Sequence, residues 1–315
     1  MVNFVKKMPI PIAGLALALA ALANLVTTFN PILLAAFRII SAVIIVLLTL
    51  KAVIAPKSVA EDFKNPVILS VAPTYSMALM LLGAYVKTLG HGTLAITIWA
   101  LGIIIHVIFI AVYTMRFIVK FDIKKIFPSV FIVYVGIGTA GITAPAFKML
   151  PIGQASFWFA FVSLLVLLPI VIYRVVKVKG ILEPSSPTFA ILAAPASLAL
   201  AAYMKSFADK NLYIVAFLTV LSLVLYTVVI IAMVKLLTLK FYPSFSAFTF
   251  PMVISGIATS GATAFLSKAG YGFEFLKYVV TAQQIIATVI VLYVLVRYTM
   301  FLCKTSPKVE KVIAK

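Results

Sequence analysis

Six hydroxyl-bearing residues, Ser76, Thr139, Thr143, Ser197, Ser255 and Thr259, stand in stretches otherwise rich in small and apolar side chains. A hydroxyl in such a place either donates to a passing anion or bonds back to the carbonyl of the preceding turn, and the sequence leaves both readings open for each. Two ionisable residues also interrupt apolar stretches. Arg38 is placed to snorkel to an interface, to bond a neighbouring helix or, third, to hold an anion. His106 reads as a satisfied histidine between packed helices and not as a proton relay, because no acidic residue shares its layer. The arrangements that mark enzymes do not occur: no His-Glu-x-x-His, no aspartate pair inside an apolar run, no nucleophile elbow and no phosphate-binding glycine loop. The chain is therefore read as no enzyme, with no cofactor and no metal.

The elements that must position these residues follow from composition. Hydrophobic residues make up 64% of the 315 and charged residues 10%, with a mean hydropathy of +1.23, which leaves too little polar surface for a soluble fold. Charge-free runs occupy 8–37, 65–86, 88–115, 126–147, 149–173, 184–204, 211–234, 241–267 and 278–296. Each approaches or exceeds the roughly 20 residues that carry a helix across about 30 Å of hydrocarbon. A further apolar segment, 32–55, is broken only by Arg38 and Lys51. The expectation is an all-α membrane protein with ten spans in a single domain, residues 1–315. The run after Lys6 and Lys7 is taken as a retained first span and not a signal peptide, and the lone Cys303 excludes an internal disulfide framework.

A net charge of +19 would point a soluble protein toward nucleic acid, but here position decides its meaning. The amino terminus, the loops after even spans and the carboxyl end carry 19 Lys and Arg residues. The loops after odd spans carry six: Lys87, Lys148, Lys205, Lys210, Lys268 and Lys277. Basic residues accumulate on the cytoplasmic side, so both termini are expected in the cytoplasm of a cell (inner or plasma) membrane, with anionic lipid as the partner of the charge and no nucleic acid.

The spans alternate in bulk. Small residues fill seven of twelve positions in 13–24, seven of fifteen in 70–84, eight of eleven in 136–146, eight of thirteen in 190–202 and nine of ten in 255–264, all in odd spans. Even spans are bulky and read as walls facing lipid. Small residues let helices approach closely or leave a lumen when several surround one axis, and five in alternation favour the lumen. Pro73, Pro195 and Pro251 lie seven or eight residues into odd spans, about 10 Å deep, where a proline bends a helix. Internal prolines are expected on odd spans only; span 5 lacks a mid-helix proline but carries Gly136, Gly138 and Gly141. With every odd helix starting in the cytoplasm, the positive dipole ends converge on one vestibule, which then favours anions. The acidic residues Glu61, Asp62, Asp122, Glu183, Asp209, Glu274 and Glu310 all read as loop or terminal positions.

Several short motifs in these spans resemble those of one family. They are Pro-Ile-Pro-Ile-Ala-Gly at 9–14, Arg38 early in span 2, Leu-Glu-Pro at 182–184, Leu-Ala-Ala-Pro-Ala at 192–196 and Ala-Phe-Thr-Phe-Pro-Met at 247–252. With them the chain resembles the tellurite-resistance/dicarboxylate transporter family, which includes bacterial homologues of the plant guard-cell slow anion channel. The resemblance implies a homotrimer whose protomers each hold a pore, built from five helical hairpins with the odd helices inside. It also implies closure by a phenylalanine, matching Phe250, with Phe248 as the neighbouring candidate. Gly14, Pro73, Ser76, Gly138, Pro195, Ser197, Pro251 and Ser255 are the expected pore-lining or kink residues. One departure is Val133, where relatives often carry a proline.

A phenyl ring across a lumen of small residues is a hydrophobic plug that needs no charge. The expected function is thus a gated anion channel for chloride, nitrate or similar small anions. The alternative is a carrier or exporter of C4-dicarboxylate, sulfite or tellurite-related oxyanions. Coupled carriers ordinarily keep titratable groups in the membrane, and only His106 and Arg38 qualify. A drug/metabolite-type transporter would instead show two inverted halves of five spans.

Overall fold

Two asparagines start two of the long apolar helices. Asn30 Oδ1 accepts from the Ile32 amide and Asn211 Oδ1 from the Tyr213 amide, each at 2.8 Å, satisfying donors that a helix start leaves free. The computed structural model describes residues 2–28 and 30–303, so Lys304, Lys308, Glu310, Lys311 and Lys315, counted above at the carboxyl end, lie outside the described residues.

A short α1 (Val2–Lys7) precedes the first apolar run, which holds α2 (Ile12–Leu25), and the second is α3 (Pro31–Ile54). A short α4 (Pro56–Asp62) leads to the third, α5 (Pro66–Val71) and α6 (Thr74–Thr88), and α7 (Gly92–Tyr113) is the fourth. The fifth is divided into α8 (Val130–Tyr134), α9 (Gly138–Thr143) and a 3-10 turn, Ala144–Phe147. The sixth is α10 (Leu150–Tyr173), extended by a π-helical turn, Arg174–Val178. The seventh begins as 3-10 helix, Glu183–Ala193, before α11 (Ala194–Ser206), and α12 (Leu212–Leu236) is the eighth. The ninth repeats that form, 3-10 over Pro243–Phe248 and then α13 (Thr249–Lys268), and α14 (Phe275–Cys303) is the tenth. No strand occurs among the described residues.

Eight of these segments are long and apolar enough to cross a membrane, which makes this an all-α, multi-pass membrane protein. The other two expected spans are apolar but fall short as helices: α2 has 14 residues and the fifth segment is in pieces. Burial separates the two kinds of segment. In the even segments 22 to 39% of the central window is buried, against 67 to 89% in the third, seventh and ninth. The bulky residues of the even helices, such as Val46, Ile104, Val166, Val220 and Val296, are exposed, as lipid-facing side chains must be. Every residue of α2 except Asn24 is buried, because its alanines and leucines meet protein on all sides.

Where the sequence suggested bent helices, the chain instead starts new ones. Proline is tolerated in the first turn of an α-helix, where its missing N–H has no partner to lose. Pro195 and Pro251 each occupy the first turn of α11 and α13, Pro73 precedes α6, and the residues upstream form 3-10 or separate short helix. The fifth segment breaks without a proline. The amides of Val135 and Gly136 both reach the Phe131 carbonyl, and a Cβ on Gly136 would run into the Ile132 carbonyl oxygen one turn back and stand 2.8 Å from His106 Cε1 and 2.9 Å from Met77 Sδ. A side chain there would collide, so glycine does at 136 what proline does in the other segments. Internal proline is not confined to odd segments, however: Pro169 lies inside α10.

Helices α2, α6, α9, α11 and α13 pack in sequence, each against the next, and α13 packs back against α2. Each also packs against the long helix that follows it: α3, α7, α10, α12 and α14.

Candidate functional site

The breaks in the odd segments meet around one small cavity of about 30 Å³, room for a water molecule or two. Each segment supplies wall: Gly14 from the first, Thr74 from the third, Gly136 from the fifth, Pro195 from the seventh and Pro251 from the ninth. Because α2, α6, α11 and α13 all begin within two residues of these wall positions, their amino-terminal ends point at this cavity. A free helix start carries about half a positive charge; here it is reduced, because first-turn amides such as Ala13, Gly14 and Tyr75 already donate to the carbonyls of Ile10, Pro11 and Ala72. The sequence placed these ends at the starts of the odd spans; in the third, seventh and ninth segments the α-helix begins later, at the proline. The wall is also bulkier than small residues alone would make it, since Met77, Phe131 and Ile191 contribute.

A second cavity, of about 360 Å³, is again walled by all five odd segments, with Ala21, Leu81, Thr139, Lys205 and Ile254 among its residues. Phe250 is the one residue among those described that contributes to the walls of both cavities, and it is 7% exposed. Phe248 is fully buried, with its ring 4.9 Å from that of Phe245, and it lines neither cavity. Two residues apart on a helix, the two rings face different surroundings, and the 3-10 stretch gives way to α-helix between Phe248 and Thr249. Thr249 fixes that switch by donating to the Ser246 carbonyl at 2.6 Å.

No carboxylate lines either cavity among the described residues, and Lys205 lines the larger one. Arg38 stands at its margin. Its Nη2 donates to Asn24 Oδ1 at 3.1 Å and its guanidinium lies 4.4 Å from the centre of the Tyr85 ring, so it bonds a neighbouring segment, as one of the sequence readings had it. Asn24 itself lines the cavity. Sequence reasoning treated Lys205 as a loop charge and passed over Asn24, because a single polar residue at the end of an apolar run carries no signal of the direction it faces.

Of the expected residues, Gly14, Pro195, Phe250 and Pro251 come together at the smaller cavity. Pro73 sits at the break beside it. Ser197 and Ser255 lie outside both walls, with their hydroxyls 3.0 Å apart; with Ser197 donating to the Ala193 carbonyl at 2.8 Å, it accepts from Ser255 and so ties α11 to α13. Gly138 packs α9 against Leu198 and Ala160. Thr143 and Thr259 bond back to the carbonyls of Thr139 and Ser255, whereas the Thr139 hydroxyl has no partner among the described residues.

Ser76 is 2.8 Å from His106 Nδ1, and His106 Nε2 is 3.2 Å from the Val133 carbonyl. A carbonyl only accepts, so a neutral ring carries its proton on Nε2 and takes the Ser76 hydroxyl proton at Nδ1. The histidine is a tie between the third, fourth and fifth segments. Val133, the departure from the resemblance, serves through its backbone oxygen.

No curated protein matches the chain at a significant level. Residues 7–299 match the family model described as SLAC1, voltage-dependent anion channel, and the chain therefore belongs to this family of anion channels and transporters, whose members are not enzymes.

Proposed function

We propose that the protein is a gated channel for small inorganic anions such as chloride and nitrate, with a pore inside the protomer closed by Phe250. The observation that carries this reading is the position of Phe250 as the shared wall of two cavities, each lined by all five odd segments. In this reading the first and fifth segments also cross the bilayer, giving ten spans as five helical hairpins in one domain. The inner helices surround the path, and the bulky even helices face lipid. Helix amino termini at the smaller cavity and Lys205 in the larger one stabilise an anion on each side of the ring, and the absence of carboxylates from both walls disfavours cations. Both termini lie on the cytoplasmic side of a cell membrane by the distribution of Lys and Arg. In this reading the protomers assemble as the homotrimer that the resemblance implies.

The test is chloride and nitrate current through the purified protein in planar bilayers, for wild type and Phe250→Ala. Removing the ring is expected to convert a nearly silent protein into one with a steady, anion-selective current. If neither protein conducts while labelled dicarboxylate or sulfite exchanges across proteoliposomes, the protein is a carrier and the plug assignment fails.

A further inference from the structure

A third cavity, of about 340 Å³, lies on the flank of the molecule and shares no residue with the two around Phe250. Its walls come from the π-helical turn that ends the sixth segment, the 3-10 start of the seventh and the last turn of α12. Val175, Phe189 and Leu236 give it an apolar side, and Lys179 and Lys235 line it as well. Neither lysine forms an ion pair with a carboxylate among the described residues. On adjoining turns of the same two helices Val176 and Val234 are exposed, as lipid-facing residues are.

The position of Lys179 is built into the fold. Lys179 and Gly180 both have positive φ, 55° and 73°, where the chain turns from the sixth segment toward the 3-10 stretch. The buried Arg174 holds that turn. Its Nη1 donates to the Lys179 carbonyl and its Nη2 to the Lys124 carbonyl at 3.3 Å, while the Lys179 amide donates to the Arg174 carbonyl at 3.1 Å. One ammonium is thus carried on a braced turn, beside another at the end of a membrane helix, over an apolar groove.

We propose that this groove is a binding site for one anionic phospholipid, its phosphate between Lys179 and Lys235 and its acyl chains along Val175, Phe189 and Leu236. Charge complementarity and the lipid-facing setting select this occupant. Basic pockets between membrane helices at the headgroup level bind anionic headgroups, and an apolar groove beside exposed valines suits acyl chains and not a hydrated free anion.

The experiment is native mass spectrometry of the full-length protein titrated with phosphatidylglycerol and, separately, phosphatidylcholine. For phosphatidylglycerol the affinity of the tightest adduct should fall roughly fivefold for each lysine removed in Lys179→Gln/Lys235→Gln. It should change less than about twofold in Lys177→Gln/Lys240→Gln, which removes the same charge outside the groove. Equal losses in the two double variants would mean diffuse attraction to a basic face and would overturn the site.

A second measurement keeps both lysines. In a protein carrying Trp158→Phe and Phe189→Trp, chain-brominated phosphatidylglycerol should quench the new indole more strongly than brominated phosphatidylcholine, and free glycerol phosphate should not relieve the quenching. Equal quenching by both lipids, or relief by glycerol phosphate, would overturn the assignment.

Discussion

Tyr242 donates its hydroxyl to Glu183 Oε1 at 2.6 Å, joining the 3-10 start of the ninth segment to that of the seventh. Ser244 reinforces the junction by donating to the Pro184 carbonyl at 2.5 Å. These two stretches lead directly into the first turns that hold Pro195 and Pro251 at the smaller cavity. Tyr242→Phe removes one bond to a carboxylate and is expected to destabilise the protein by about 1 kcal/mol. Glu183→Gln keeps an acceptor oxygen and should cost less. Thermal unfolding of the detergent-solubilised protein checks this, and a Tyr242→Phe midpoint equal to wild type would show that the junction carries no stability.

Lys205 lines the larger cavity as its one lysine or arginine among the described residues. In the Phe250→Ala background, Lys205→Gln is expected to lower anion current about twofold or more at low salt, with the deficit shrinking as salt screens the charge. Single-channel recording over a range of potassium chloride concentrations measures this. A deficit independent of salt would mean that the lysine acts by shape and not by charge.

His106 ties three segments through Ser76 and the Val133 carbonyl and faces no carboxylate within hydrogen-bond reach among the described residues. His106→Ala loses both bonds and leaves a void, so it should destabilise by about 3 kcal/mol. His106→Gln should leave the pH dependence of transport unaltered from about pH 6 to about pH 8, because a structural tie moves no proton. A flattened pH profile in flux assays would restore the proton-relay reading.

Lys51, 4% exposed near the end of α3, donates to the Met8 carbonyl at 2.7 Å and to Asp62 at 3.3 Å. It anchors the chain just before α2. Asp62→Ala leaves that ammonium without its carboxylate, and since Asp62 is itself partly exposed, a loss of about 1–3 kcal/mol is expected. Lys51→Met with Asp62→Ala should recover part of it. A double variant less stable than Asp62→Ala alone would contradict this account.

Gly141 lies where α9 meets α11 and the start of α10. An added Cβ would stand 2.9 Å from that of Ala202 and 3.2 Å from the Gly153 carbonyl. Gly141→Ala is therefore expected to destabilise by about 1–3 kcal/mol through overpacking. A yield and unfolding midpoint like wild type in size-exclusion and thermal assays would mean that the backbone yields more readily than close packing allows.

Hydropathy alone was enough to assign the protein to the membrane, because the bilayer fixes how long a charge-free run must be whatever the neighbouring helices do. The alternation of small and bulky segments likewise anticipated which would be buried, since side-chain bulk at a crowded interior is limited by volume. Proline chemistry marked positions 73, 195 and 251 as places where a helix is disturbed, but that new helices start there while α10 runs through Pro169 was decided by the fold. Tertiary structure decided the rest. The break at Gly136 has no proline to announce it, and the side chains that crowd it, His106 and Met77, come from other segments, beside the Ile132 carbonyl of its own. Phe248 and Phe250 are indistinguishable by type; two residues apart, they face different ways on any helix, and only the packing of the ninth segment decides which of them meets the cavities. Asn24 and Lys205 face a cavity, and Ser76 faces His106, only because segments far apart in the chain pack with one particular rotation about their axes. Spacing along one helix sets which residues share a face; the partners that helix meets set where the face points.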